Sequence, residues 1–128
     1  MQMVILRRNN GGETVPLTQT RAEGYLTELL TRQRKRNRLG PLMRSLSKAF
    51  DGRGLPTGRY RYNGFPVRHA SAGRDGAGVT LFYYVQNDTL KLFAMGEHME
   101  GRANVTKYRI TIYGQSGSDF DMDSIIAI

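Results

Sequence analysis

The stretch GVTLFYYVQNDTLKLFAMGEH, residues 78–98, holds two runs of β-branched and aromatic residues, 79–85 and 89–95, on either side of the polar triplet Gln86-Asn87-Asp88. That composition predicts a β-hairpin, because branched and aromatic side chains suit a pleated, half-buried surface and Asn and Asp accept the backbone angles of a tight turn. Gly96, Glu97 and His98 are expected just beyond the second strand, where they set a carboxylate and an imidazole at one end of the hairpin. Basic residues flank the hairpin, with Arg59, Arg61, Arg68, His69 and Arg74 before it and Arg102, Lys107 and Arg109 after it.

Working outward, Asn63-Gly64 is the dipeptide that most favours a two-residue hairpin turn and joins strand 59–62 to strand 65–69. Residues 51–58 and 70–78 are rich in glycine and read as loops. Residues 3–6 form a short apolar strand that Asn9-Asn10-Gly11-Gly12 ends. Thr20 and Glu23 have capping-box spacing, and Ala22, Tyr25, Leu26, Leu29 and Leu30 recur at helical intervals, so a helix running to about Asn37 is expected. Gly40-Pro41 breaks it, and Leu42, Met43, Leu46, Ala49 and Phe50 mark a second helix. A final strand is expected within 105–113, followed by a flexible, acidic, Gly/Ser-rich tail over 115–128 that either folds over a basic groove or is an inert extension. The whole is an α+β plan with an N-terminal strand, a helical hairpin and then a mostly antiparallel sheet with the helices packed on one face. Residues 1–114 read as one domain.

A chain of 128 residues supports one modest core. It has no cysteine, which removes disulfides, thiolate catalysis and cysteine-based zinc sites and makes a reducing cytoplasm the natural compartment. No apolar run approaches the roughly 20 residues of a membrane span, and residues 1–8 are too short for a signal peptide, so a cytoplasmic protein with no membrane role is expected. The formal charge of +8 is unevenly spread: residues 1–74 hold 15 Lys/Arg against 4 Asp/Glu, and residues 75–128 hold 4 against 7. Five of the seven residues from 32 to 38 are basic, and arginine outnumbers lysine 15 to 4. Guanidinium forks suit phosphate better than ammonium groups do, so the expected partner is RNA; the competing reading is a solvated charged surface. Two histidines, no His-Glu-x-x-His pattern and no calcium-loop spacing argue against metal chemistry, and no Walker loop, dinucleotide fingerprint or nucleophile elbow is present.

Element order, together with Arg59-Tyr60-Arg61, Leu81-Phe82-Tyr83-Tyr84-Val85 and Leu92-Phe93-Ala94-Met95-Gly96-Glu97-His98, resembles the RelE/ParE-like toxin superfamily over roughly residues 3–98. That resemblance implies a metal-independent endoribonuclease without a cofactor, cleaving mRNA or tRNA, free or on the ribosome, by attack of the ribose 2′-hydroxyl to leave a cyclic phosphate. It implies a cognate acidic antitoxin or immunity protein as partner. The chain departs from the family in its last strand and acidic tail. A noncatalytic nucleic-acid-binding module and a host-modulating protein that binds an acidic partner are the alternatives.

Cleavage of this kind needs a group to take the 2′-proton, charge to neutralise the phosphorane and a proton for the departing 5′-oxygen. His98 and His69 are the acid–base candidates, because imidazole titrates near neutrality. Arg74, Lys107 and Tyr84 complete the candidate catalytic set, and Arg34, Lys35, Arg36, Arg38, Arg59, Arg61, Arg68, Tyr83 and Arg102 are the candidate RNA contacts. Strand alternation sends one of Tyr83 and Tyr84 into the core and the other outward.

Overall fold

Asn87 and Asp88 both adopt left-handed backbone angles, with φ 51° and 59°, and Gln86 pairs with Thr89 across them. The central hairpin therefore closes through a two-residue turn of type I′, whose twist matches that of the strands it joins. Its strands are β5 (Val79–Gln86) and β6 (Thr89–Met99). Residues 1–7, 12–32, 34–62, 64–74, 77–99, 107–110 and 119–121 are described by the computed structural model, with backbone alone at 7, 59–60, 97–99, 107–110 and 119–121.

The preceding hairpin pairs β3 (Leu55–Tyr62) with β4 (Phe65–Ala72), and β4 pairs antiparallel with β5. The first strand, β1 (Gln2–Arg7), lies parallel to β6, with Met3 opposite Leu90 and Ile5 opposite Leu92. A two-residue strand β2 (Gly12–Glu13) pairs with β1, giving the order β2-β1-β6-β5-β4-β3. Beyond the β1 pairing, β6 pairs with β7 (Lys107–Ile110), and β7 pairs with β8 (Asp119–Asp121). The mixed, mostly antiparallel sheet carries both helices on one face, an α+β architecture.

Helix α1 (Gln19–Arg32) buries Ala22, Leu26 and Leu30, the stripe that the periodicity predicts. Its cap is Thr18 and not Thr20: the Thr18 hydroxyl accepts the Arg21 N–H at 3.3 Å, and the Thr18 carbonyl accepts the Ala22 N–H at 2.8 Å. The helix stops at Arg32 instead of about Asn37, since Arg34 takes φ 60° and a 3₁₀ turn, Arg36–Arg38, follows. Gly40-Pro41 is not the break that ends the first helix but lies in the first turn of α2 (Leu39–Phe50), where the missing proline N–H is not needed for a helical bond. α2 buries Leu42, Ser45, Leu46 and Ala49, while Met43, expected in the core, is 49% exposed. The Ser45 hydroxyl donates to the Val79 carbonyl at 2.8 Å and ties α2 to β5.

Several strands are longer than their composition predicts. β3 begins at Leu55 inside the segment read as a loop. It is the outer strand, where Pro56 breaks no ladder bond, and the irregular pairing between Pro56 and Arg61 accommodates Gly58 at φ 54°. β6 continues through Gly96, Glu97 and His98 to Met99. The tail is not wholly outside the sheet, since Asp119–Asp121 pairs with β7; the rest of 111–128 lies outside the described residues. Among the described residues no helix is long and apolar enough to cross a membrane.

Candidate functional site

Register places His69 opposite Phe82 and Phe82 opposite Ala94, so these positions share one face of the sheet. Pairing then slips by one residue, with Tyr83 opposite Leu92, and Phe93 becomes the extra residue of a β-bulge. The result is a connected group of rings. Tyr62 stacks on Phe93 at 4.2 Å and on Tyr84 at 5.8 Å, Phe65 stacks on Tyr84 at 5.0 Å, and Phe82 stands 6.5 Å from Phe93. Apart from the closer, nearly parallel Tyr62–Phe93 stack, these separations lie in the range over which offset and tilted rings attract. His69 ends the group, its ring 6.3 Å from Phe82.

The imidazole is anchored. His69 Nδ1 and the Thr57 hydroxyl are 2.8 Å apart, which leaves Nε2 to exchange a proton with a ligand. Half-burial holds the His69 pKa below its ordinary value of 6.5, and the neighbouring Arg68 charge lowers it further. At neutral pH this ring is the neutral, proton-accepting form.

Arg68 and Tyr83 have the opposite parity and a different task. The Arg68 guanidinium donates to the Gly54 carbonyl and bonds the Tyr83 hydroxyl. Burial raises the Tyr83 pKa, and the Arg68 hydrogen bond and charge oppose that rise. A Cβ on Gly54 would collide with the Tyr83 hydroxyl and come within 2.9 Å of its Cζ, so only glycine permits this approach just after α2. The cluster latches the exit of the helical layer onto the sheet.

Several expected site residues are thereby reassigned. Tyr83 is 1% exposed and Tyr84 4%, so neither offers a free ring or hydroxyl to RNA. β5 is covered on both faces, by the helical layer on Tyr83's side and by Tyr62 and Phe65 on Tyr84's, which is why alternation sends neither tyrosine outward. Arg68 is occupied internally. Arg38, at the end of the 3₁₀ turn, is 9% exposed and belongs to the interior, while Arg34 and Arg36 stay exposed and Lys35 is half-buried. Arg61 is exposed and donates to the Gly64 carbonyl at 3.3 Å. Arg74 is exposed in the β4–β5 loop, next to Gly73, whose Cα faces Pro41 of α2; it sits with the helices and not beside His69.

Three candidates are placed by backbone alone. Arg59 lies in β3, Lys107 in β7 opposite Met99, and His98 inside β6 opposite Tyr108. His98 is four residues along β6 from Ala94, which is two strands across from His69; ideal strand spacing separates the two histidine backbones by roughly 16 Å. Arg102 lies outside the described residues. Among the described residues, no three His, Asp or Glu side chains cluster as a metal site would.

No protein-family model, curated protein or solved structure matches this chain. Its reading rests on geometry. Sequence reasoning misses Thr57, which falls in a segment with the composition of a loop, and the partnership of Phe65, Tyr62 and Phe93, which depends on a bulge. The signal within reach is the alternation of Tyr60 and Tyr62 before the Asn63-Gly64 turn and Phe65 after it.

Proposed function

We propose that the protein is an RNA-cleaving toxin of RelE/ParE type whose site is the aromatic face, with His69 as general base. The observation that carries this reading is a neutral, hydroxyl-anchored imidazole at the end of a line of rings, on the sheet face away from the helices. Unpaired bases stack on partly exposed Tyr62 and Phe65, which lie at the β3–β4 end of the group. His69 Nε2 takes the proton of a ribose 2′-hydroxyl, the 2′-oxygen bonds to phosphorus, and the bond from phosphorus to the 5′-oxygen breaks. The 5′-oxygen takes its proton from water. The strand–helix–helix–strand order and the parallel β1–β6 pairing support the family reading. A basic enzyme of this kind is held in check by an acidic protein, an antitoxin or immunity protein.

The test is cleavage of an unpaired oligoribonucleotide by the full chain, with product ends identified. A positioned base contributes roughly 100- to 10,000-fold, so His69→Ala should lower the rate by that factor at unchanged melting temperature, and cyclic phosphate should mark the product. Binding without cleavage in the wild type would leave an RNA-binding module, and full activity in folded His69→Ala would remove His69 from the chemistry.

A further inference from the structure

Between Glu28 and Asp51 the chain has no acidic residue, whereas residues 29–50 contain seven basic ones. Folding gathers part of this charge on the helical side of the molecule, away from the aromatic face. Arg36, Gly40, Arg44 and Lys48 follow one another at intervals of four, so they run along one flank of α2 and the turn before it. Gly40 leaves room for the Arg44 guanidinium, whose Nη1 lies 3.4 Å from where a Gly40 side chain would begin. Lys48 Nζ donates to the Ser71 carbonyl at 2.7 Å, which fixes that end of the flank against β4. Pro41 abuts Gly73 and brings exposed Arg74 to the first turn of α2. The described salt bridges involve Arg32, Arg53 and Lys91, and none engages Arg34, Arg36, Arg44 or Arg74.

We infer that this flank is a second nucleic-acid surface, one that grips the phosphate backbone of base-paired RNA. It is mainly arginine, it shows no exposed aromatic ring on which an unpaired base could stack, and from Arg36 to Lys48 it extends about 18 Å at helical rise, the length of several base pairs. Phosphate contacts of this kind fix position and carry no sequence information. Resting on the proposed function, the inference refines the substrate: RNA in which an unpaired segment, read by the aromatic face, adjoins a duplex held by α2.

The experiment measures affinity of the full chain for a short blunt RNA duplex and, separately, for a short unpaired oligoribonucleotide, each across a salt series. In the triple variant Arg36→Gln, Arg44→Gln, Arg74→Gln, duplex affinity should fall at least about tenfold and the log–log salt slope should become shallower by about 2 to 3, since each lost phosphate contact removes roughly 0.9. Binding and cleavage of the unpaired strand should be unchanged. The corresponding triple Lys variant, which keeps the charges, should retain most duplex affinity. Unchanged duplex affinity in the Gln variant would overturn the inference and leave the flank a solvated charged surface; equal loss on both probes would overturn it as a separate surface. Failure of the wild type to cleave the unpaired strand would count against the proposed function and leave the duplex measurement standing.

Discussion

The two faces of the sheet bury side chains by different means. On the helical face Leu26, Leu30, Leu42 and Leu46 close over Met3, Ile5, Leu81 and Leu92, and each of these is 0% exposed. The other face has rings stacked on rings, with Tyr62 and Phe65 only partly covered and His69 at the margin. On the first face the Arg68–Tyr83 latch and the Ser45 hydroxyl are satisfied internally. The second has a partly exposed stacking surface and a titrating group with one nitrogen uncommitted. The face that stabilises the fold and the face suited to binding are thus distinct.

Truncation should separate them most strongly. Leu46→Ala opens a cavity in a fully buried site and should cost about 2 to 5 kcal/mol of stability in denaturant melts, whereas Phe65→Ala, at a half-buried ring stacked on Tyr84, should cost about 1 to 2 kcal/mol. Equal losses would erase the distinction. The latch offers a sharper probe of intermediate size. Gly54→Ala should destabilise by about 1 to 3 kcal/mol through collision with the Tyr83 hydroxyl. Tyr83→Phe removes the closer of the two colliding atoms, so the double variant should lose less than the sum of the singles. Strict additivity would mean that the contact carries no energy.

A smaller effect is expected from protonation. His69 has a pKa below its ordinary 6.5 because of burial and, secondarily, Arg68. Above 6.5 the ring is neutral whether the chain is folded or not and contributes nothing to the pH dependence. As pH falls below 6.5 the unfolded chain takes up a proton more readily than the folded one, so stability declines from there down to the folded pKa. A proton-NMR titration should give a midpoint under 6.5, raised toward it in Arg68→Gln. A midpoint at or above 6.5 would contradict the effect of burial, and a midpoint above physiological pH would remove the case for a neutral base.

Much of the fold is legible in the sequence, because hairpins and amphipathic helices are written in local periodicity. The central hairpin, the pairing of Tyr62 with Phe65 and the buried stripe Ala22, Leu26, Leu30 all follow from spacing. The site is less legible. Alternation predicts that one of Tyr83 and Tyr84 faces outward, yet residues far along the chain cover both sides of β5. Thr57 hides between Pro56 and Gly58, residues that signal a loop but are tolerated in an outer strand with irregular pairing. Arg38 looks like its neighbours in a basic run, and only the 3₁₀ turn after Arg34 distinguishes it as an interior residue.

The central claim is that unpaired RNA meets the aromatic face and leaves the leucine layer untouched. The direct measurement is an NMR titration of the isotope-labelled full chain with an unpaired oligoribonucleotide at low temperature, before cleavage. The account predicts shifts of the Tyr62 and Phe65 ring signals and of the His69 imidazole, with the Leu26, Leu42 and Leu46 methyl signals unmoved. Unperturbed Tyr62, Phe65 and His69 signals at saturating RNA would contradict it.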